Sequence, residues 1–151
     1  IVTGLAAGKI PEVRIFKASG VLAGQFLAYA KTFRGGVKVA AANVKSGFGG
    51  RRAEIITAQE KGGGQHIKFF DNKGNLLSHW FAFNSNFRGG VNLAKADVDN
   101  DGFDEIITAA GPGGAPHVRV FRANGKIFGS FYAYEENFSG GVNAGSIKII
   151  K

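Results

Sequence analysis

The chain has 151 residues, a formal net charge of +8 and 44% hydrophobic residues, which fits one globular domain and excludes wholesale disorder. It contains no Cys, so disulfides and thiolate metal sites are excluded, although the compartment stays open. No apolar run approaches the ~18 residues that suggest a membrane span, so we expect no membrane span in this chain. The 24 Gly and 3 Pro between short apolar runs indicate many short strands and tight turns.

An internal repeat runs along the whole chain. Residues 1–16, 55–70 and 106–121 align with one another, and each begins with an apolar pair such as Ile-Val or Ile-Ile. A second marker, Phe-x-Gly-Gly-Val, begins at Phe33, Phe87 and Phe138, at spacings of 54 and 51 residues. Because two independent markers recur at matching intervals, the sequence predicts a repeated structural unit.

The third copy of the repeat shows its strand pattern most clearly. The β-branched run Ile106–Ala110 predicts a buried strand, and the Gly/Pro segment 111–116 that follows predicts a loop. Asn124-Gly125 is a strong hairpin signal. Helical periodicity is absent from the sequence. The predicted strands of this copy are Val91–Ala96, Ile106–Ala110, a half-buried strand around Val118 and Val120, and an aromatic strand with Phe128, Phe131 and Tyr132.

Four short strands in each repeat are typical of the blades of a β-propeller. We therefore predict an all-β fold of blades with four antiparallel strands, forming a single propeller segment. Its repeat units are about 1–36, 37–90 and 91–141, with a closing strand at 142–151. Since Ile1 begins at a second strand, the first blade lacks its opening strand. Three repeats indicate a partial ring that continues into further blades, or half of a six-bladed ring formed by a homodimer.

An acidic stretch stands out against the basic background. Five of the eleven Asp and Glu residues lie within Asp97–Glu105, whereas the chain has nineteen Lys and Arg. A carboxylate at every second position is costly unless a cation neutralises the cluster. A hard divalent cation with oxygen ligands, Ca²⁺ in particular, suits such a loop.

These motifs carry a family resemblance that covers essentially the whole chain. Residues 97–107 resemble the DxDGDGxxDxxx calcium loop of FG-GAP/VCBS-type β-propeller repeats, which are related to the propeller of integrin α-subunits. Residues 110–117 resemble the Gly-Ala-Pro element of that family, and the Phe-x-Gly-Gly-Val markers resemble its Phe-Gly element. The resemblance implies a calcium-stabilised propeller of the extracellular space or cell surface. Such a propeller works in adhesion or recognition, usually without catalysis, and its protein or glycan ligand stays unidentified.

Five residues of the acidic loop are the candidate calcium ligands. The side chains at the first, third, fifth and ninth positions and a backbone carbonyl at the seventh would surround the ion, and Gly102 permits the sharp turn that this requires. Asp104 is expected to point outward or to support the ligands. An EF-hand is not favoured, because no helical pattern flanks the loop and its twelfth position is not Glu. The predicted metal ligands are Asp97, Asp99, Asp101, the carbonyl of Phe103, and Glu105.

The equivalent stretch of the second repeat, 43–54, is not expected to bind calcium. Asn43 and Lys45 occupy the positions of the first two aspartates, and Arg51 and Arg52 add further positive charge. These cations would repel a divalent ion. Glu54 aligns with Glu105, and we predict that Lys45 or one of the arginines pairs with it.

Other functions have weaker support in the sequence. Arg14, Lys68 and Arg119 share one repeat position and could face an acidic polysaccharide, so a glycan-binding propeller is the alternative. The chain could also be part of a larger propeller enzyme. It would then be a non-catalytic part, because catalytic residues would appear as departures from the repeat and no Ser/His/Asp set of this kind is present. His66 and His117 also share one position, which favours a structural role. Nucleic acid is not an expected partner, because the Phe-Arg pairs recur at one structural turn.

Overall fold

The computed structural model describes residues 1–44 and 53–147. Within these ranges the chain forms strands and no helix, which confirms the predicted all-β class. No helix of the described residues is long and apolar enough to cross a membrane. The strands are β1 (Val2–Gly4), β2 (Glu12–Phe16), β3 (Leu22–Leu27), β4 (Val37–Ala42), β5 (Glu54–Gln59), β6 (His66–Phe70), β7 (Leu76–Phe81), β8 (Val91–Ala96), β9 (Glu105–Ala110), β10 (His117–Phe121) and β11 (Ile127–Tyr132).

The strands form three antiparallel sheets, one for each sequence repeat. Sheet 1 has the order β1-β2-β3, sheet 2 the order β4-β5-β6-β7, and sheet 3 the order β8-β9-β10-β11. Within each sheet, therefore, each strand pairs with the next one along the chain. The predicted four-strand pattern is confirmed in sheets 2 and 3. Sheet 1 has three strands in the described residues, as expected from the phase of the repeat.

The repeat in sequence is a repeat in backbone geometry. The pairing of the last two strands shifts register at the same place in each sheet, between Ile15 and Phe16, Phe69 and Phe70, and Val120 and Phe121. The hairpin before each last strand contains a Gly at positive φ, between +81° and +84°. Such a conformation is open to Gly at little cost. The same turn chemistry therefore sets the same register three times.

The apolar core lies between successive sheets. β5 and β9 are buried along nearly their whole length, and each has a paired strand on both sides within its sheet. One cluster between sheets 1 and 2 includes Val13, Tyr29 and Phe70. A larger cluster between sheets 2 and 3 includes Phe69 and Phe121. Each sheet thus obtains its core from its neighbour, as expected for a stacked repeat protein.

Basic side chains join the sheets at equivalent places. The Lys68 ammonium donates a hydrogen bond to the Ala28 carbonyl of sheet 1 at 3.0 Å and lies 4.9 Å from the centre of the Tyr29 ring. Arg119 repeats this contact one sheet further along: its guanidinium donates to the Ala82 carbonyl at 2.9 Å. Both cations therefore bind carbonyl groups at the end of the preceding sheet.

The segment after sheet 3 begins like an opening strand. The Val142 N–H donates to the Ala110 carbonyl at 2.9 Å, as the Val37 N–H donates to the Leu5 carbonyl at the start of β4. Residues 142–147 nevertheless form no strand, and the rest of the predicted closing strand lies outside the described residues. The reason is the lack of a partner. β4 and β8 each pair with the strand that follows them, and the described chain offers no such strand after Val142.

Candidate metal centre

The acidic loop connects β8 to β9 at one end of sheet 3. Its turn uses the left-handed backbone region at Asn100, with φ of 59°, and at Gly102, with φ of 89°. The two carboxylate oxygens of Asp97 accept hydrogen bonds from the N–H groups of Asp101 and Gly102, at 3.1 and 3.0 Å. The loop therefore folds around the Asp97 side chain.

Three of the five predicted ligands converge. Asp97, Asp99 and Glu105 each offer a carboxylate oxygen, and these oxygens lie within 4.8 Å of one another. Since Ca²⁺ binds oxygen at about 2.3–2.6 Å, two ligands on opposite sides of the ion lie about 4.6–5.2 Å apart. The spacing and the all-oxygen chemistry of this group could hold one hard divalent cation, the class to which Ca²⁺ belongs.

Glu105 is the buried member of this group, with 3% of its surface exposed. Its carboxylate accepts a hydrogen bond from the Val98 N–H at 3.1 Å. Burial raises the pKa of Glu105, and the charges of Asp99 and Asp101 raise it further, while the Val98 N–H and Arg122 act in the opposite direction. A positive charge beside this carboxylate would favour its ionised form.

The two other predicted ligands are Asp101 and the carbonyl of Phe103. Asp101 is not a member of the converging group, and its Oδ1 accepts a hydrogen bond from the Phe103 N–H at 3.0 Å. The carbonyl of Phe103 stays a predicted ligand. A hard cation of this size takes six to eight oxygens, so Asp101, the Phe103 carbonyl and water are the groups that would complete its shell.

Asp104 joins the acidic loop to sheet 2. Its carboxylate pairs with the Lys95 ammonium at 2.9 Å and accepts a hydrogen bond from the Asn43 N–H at 3.0 Å. In return, the Asp104 N–H donates to the Asn43 carbonyl at 2.7 Å. Asp104 therefore ties the connections of two neighbouring sheets together. Asp104 is not a member of the converging group, and whether it supports the ligands stays a prediction.

Arg122 is a member of the site that sequence reasoning missed. It follows β10, and its guanidinium donates a hydrogen bond to Asp99 Oδ2 at 2.8 Å. The equivalent positions of the other repeats are Lys17 and Asp71, so the repeat carries no consistent charge there. No signal in the sequence could have found this pair, because it depends on the register of β9 and β10.

The connection before β5 has one feature in common with the acidic loop. Glu54, with 7% of its surface exposed, accepts a hydrogen bond from the Val44 N–H at 3.3 Å, as Glu105 does from Val98. This contact is therefore part of the repeat rather than a mark of a metal site. The predicted partners of Glu54, Lys45, Arg51 and Arg52, lie outside the described residues.

The two repeat-equivalent histidines occupy the junctions between sheets. His66 Nε2 lies 3.0 Å from His79 Nδ1, and the His66 ring stacks on Phe81 with 4.6 Å between ring centres. Burial lowers the pKa of His66 to about 4, helped by the charges of Lys68 and His79. Burial also lowers the pKa of His117, and Arg119 contributes in the same direction. Both rings are thus packed among aromatic and basic side chains.

Comparison with protein-family models, with curated proteins and with solved structures finds no match to this chain.

Proposed function

We propose that this chain is a segment of a calcium-stabilised β-propeller that works in adhesion or recognition, without catalysis, outside the cell or at its surface. Each sheet of the structure would be one blade. The function is that of a rigid scaffold whose rims offer loops to a protein or glycan ligand, and calcium would act on the scaffold rather than on a substrate.

The observation that carries the proposal is the convergence of Asp97, Asp99 and Glu105 on the connection between β8 and β9. A bound ion would tie the start of this connection to its end. Because Glu105 is the first residue of β9, the ion would hold the loop against the buried strand of sheet 3. When bound, the metal supplies charge neutralisation and cross-linking of the loop, and the carboxylates hold it.

Three further features support a propeller module. Three successive sheets have the same register shifts, and each packs on the next through an apolar core. The resemblance to FG-GAP/VCBS-type repeats supports the adhesive or recognition role and the location. The acidic-polysaccharide alternative is not favoured by the contacts of Lys68 and Arg119, because both donate to backbone carbonyls of the preceding sheet.

Thermal unfolding with and without calcium tests the proposal. A ligand that binds only the folded state stabilises it by RT ln(1 + [L]/Kd), which is about 2.7 kcal/mol when calcium is at 100 times Kd. We expect a higher melting temperature in excess Ca²⁺ than in EGTA. Asp99→Ala should remove this difference, because it deletes one converging carboxylate. The matched control is Glu136→Ala, which removes an exposed carboxylate outside the loop and should retain the full difference.

Two results would contradict the calcium proposal. One is an equal melting temperature in calcium and in chelator, together with no heat of binding when Ca²⁺ is titrated into the protein in a calorimeter. The other is a calcium effect that survives Asp99→Ala unchanged, which would place the ion at another site. A shift with Mg²⁺ as large as that with Ca²⁺ would point to non-specific neutralisation of the carboxylates.

A further inference from the structure

Two faces of the three-sheet stack have no neighbouring sheet in the described residues: the outer face of sheet 1 and the outer face of sheet 3. Two contacts between sheets 1 and 2 recur between sheets 2 and 3: a glycine packed on an aromatic ring, and a cation bound to a carbonyl. A third contact, made by a tyrosine hydroxyl, joins sheets 1 and 2 alone, and a fourth is the pairing of the first strand of a sheet with the second. Each outer face carries one half of each of these four contacts, without the other half in the described residues.

The first contact places a hairpin glycine under an aromatic ring of the preceding sheet. At Gly74, with φ of +84°, an added Cβ atom would lie 2.7 Å from the Phe26 ring. At Gly125, with φ of +81°, it would lie 3.0 Å from the Trp80 ring. The hairpin of each sheet therefore packs closely against the last strand of the sheet before it.

The unmatched halves of this contact are Gly20 and Phe131. Gly20 has the same φ of +81°, but an added Cβ atom would meet nothing within 4 Å. Phe131 is 55% exposed, whereas its equivalents Phe26 and Trp80 are half-buried. Not every position of the last strand behaves this way. Leu22, Leu76 and Ile127 start the three last strands and are 47%, 51% and 49% exposed, so this position is outside the junctions.

The second contact is the bond from a cation to a carbonyl. Lys68 binds the Ala28 carbonyl of sheet 1, and Arg119 binds the Ala82 carbonyl of sheet 2. The unmatched halves are Arg14 on sheet 1, which is exposed and pairs with Glu12 of its own strand, and Ala133 at the end of sheet 3. Ala133 is exposed, whereas Ala28 and Ala82 are 1% and 0% exposed.

The third contact is made by a tyrosine hydroxyl. Tyr29 of sheet 1 is 7% exposed; its hydroxyl donates to the His66 carbonyl at 2.9 Å and accepts a hydrogen bond from Thr57 at 3.1 Å. The equivalent of Tyr29 in sheet 3 is Tyr134, which is 63% exposed. The equivalent of Thr57 in sheet 1 is Thr3. A tyrosine on one outer face and a threonine on the other thus repeat the internal pair.

The fourth contact is strand pairing. β4 pairs with β5 in a register that places Val39 opposite Thr57 and Ala40 opposite Ile56. The unmatched halves are the open edge of β1 and the segment 142–147. This segment is already anchored as β4 is, since Val142 is 5% exposed and its carbonyl accepts a hydrogen bond from Asn92 Nδ2 at 2.6 Å. An open strand edge and an unpaired segment of matching position can complete one another.

We propose that the outer face of sheet 3 binds sheet 1 of a second copy of this chain, and that the reciprocal contact closes the two chains into a ring of six sheets. Phe131 would cover Gly20 of the partner copy, and Arg14 of that copy would bind the Ala133 carbonyl. Residues 142–147 would pair with β1 of the partner copy as its fourth strand. The register of sheet 2 then sets Ala144 opposite Thr3 and Gly145 opposite Val2.

We propose two copies because propellers usually have four to eight blades. The described residues of each chain form three sheets, so two chains give six sheets, inside this range, and three chains give nine. This step rests on the proposed propeller arrangement. A two-fold axis makes both junctions identical, which is the commonest symmetry of soluble oligomers. The junction uses none of the candidate metal ligands, so it stands or falls separately from the calcium proposal.

Molar mass in solution tests the junction. Size-exclusion chromatography with light scattering, in excess EGTA and again in Ca²⁺, should give the unmodified chain twice its mass of 15.9 kDa. Phe131→Asp places a charge in the junction and should give a single chain, with unchanged far-ultraviolet circular dichroism. The control Ile127→Asp introduces the same charge in the same strand at a similarly exposed position and should leave two chains together.

The proposal is overturned if the unmodified chain has the mass of a single chain across the concentration range, or a mass of three or more chains. It is also overturned if folded Phe131→Asp keeps the mass of two chains. If Phe131→Asp fails to fold, Gly20→Asn tests the same contact from the other face. Asn tolerates positive φ better than other side chains, so this variant should fold and give a single chain.

Engineered cysteines test the strand register, because the chain has no Cys of its own. Thr3→Cys with Ala144→Cys should form a disulfide between two chains on mild oxidation, since these residues would lie directly opposite one another. In the control, Thr3→Cys with Asn143→Cys, a shift of one residue turns the second side chain to the other face, and little cross-linking is expected. Equal yields from both pairs, or disulfides within single chains, would contradict the proposed pairing.

Discussion

The Arg122 guanidinium donates a hydrogen bond to Asp99 Oδ2 at 2.8 Å, so a cation of the protein already holds one of the three converging carboxylates. Both partners are partly exposed, with 38% and 23% of their side-chain surfaces accessible. Ion pairs of this kind contribute about 0.2–1 kcal/mol. Arg122 would thus compete mildly with a bound calcium ion for Asp99.

We expect Arg122→Gln to tighten calcium binding. The variant removes a positive charge beside the ion and frees Asp99, and up to about 1 kcal/mol corresponds to a roughly fivefold lower Kd. Calorimetric titration of Ca²⁺ measures the change. Arg88→Gln is the control, since Arg88 binds the carbonyls of Ser85 and Phe87 in its own turn, away from the acidic loop. Weaker binding by Arg122→Gln would show instead that Arg122 positions Asp99 for the ion.

Glu54 and Glu105 accept the same backbone hydrogen bond in two repeats, and this equivalence separates a structural role from a metal-binding one. Glu105→Gln should remove most of the stabilisation by calcium. In chelator the same variant should melt at an equal or higher temperature than the unmodified chain, because it relieves repulsion from Asp99 and Asp101. Glu54→Gln should leave the calcium effect intact. Melting curves of the two variants in Ca²⁺ and in EGTA measure these effects. If Glu54→Gln lost the calcium effect as fully as Glu105→Gln, the metal-binding role assigned to Glu105 alone would be contradicted.

Much of the fold could be predicted from local sequence. The strand Val91–Ala96 has the predicted bounds, and the predicted strand Ile106–Ala110 begins one residue earlier, at Glu105. Apolar runs and hairpin glycines determine these elements, and both signals are local. The segment after Val142 differs, because its pattern is that of a strand while pairing requires an edge that the described chain does not supply.

The candidate site could be predicted less completely. The alternating carboxylates predict a common centre, and Asp97, Asp99 and Glu105 meet there. The contact of Asp104 with Asn43 spans 61 residues, so it depends on how sheet 3 stacks on sheet 2. Arg122 reaches Asp99 only through the pairing of two further strands. Such relationships arise from tertiary packing and leave no spacing pattern in the chain.

The Lys68 side chain contacts sheet 1 at the Ala28 carbonyl and at the Tyr29 ring. Its replacement should therefore destabilise the fold. Lys68→Met keeps an unbranched apolar stem over the Tyr29 ring but leaves the Ala28 carbonyl without its donor. Hydrogen bonds from charged groups are worth about 1.5–3 kcal/mol, and the partial exposure of Lys68 reduces this, so we expect a loss of about 1–2 kcal/mol in urea unfolding. Lys73→Met, at an exposed hairpin position, should stay within about 0.5 kcal/mol of the unmodified chain. Equal stability of the two variants would argue against the inter-sheet role.

His66 should make the stability of the fold depend on pH. Its folded pKa of about 4 lies below the ordinary value of 6.5, chiefly because of burial and then because of Lys68 and His79. Between these values the unfolded chain binds more protons than the folded chain, so the free energy of unfolding rises with pH. The stabilisation is fully present above about pH 6.5 and is lost as the pH falls towards the folded pKa of about 4.

Urea unfolding between about pH 5 and 7.5 measures this dependence above the range in which most carboxylates titrate. His66→Gln should give a flatter profile than the unmodified chain, because Gln has no proton to take up on unfolding. Burial lowers the pKa of His117 as well, so a smaller slope of the same sign should remain in His66→Gln. That slope should decrease further in the double variant His66→Gln/His117→Gln. Parallel profiles for the unmodified chain and His66→Gln would show that the imidazole titrates alike in the folded and unfolded chains.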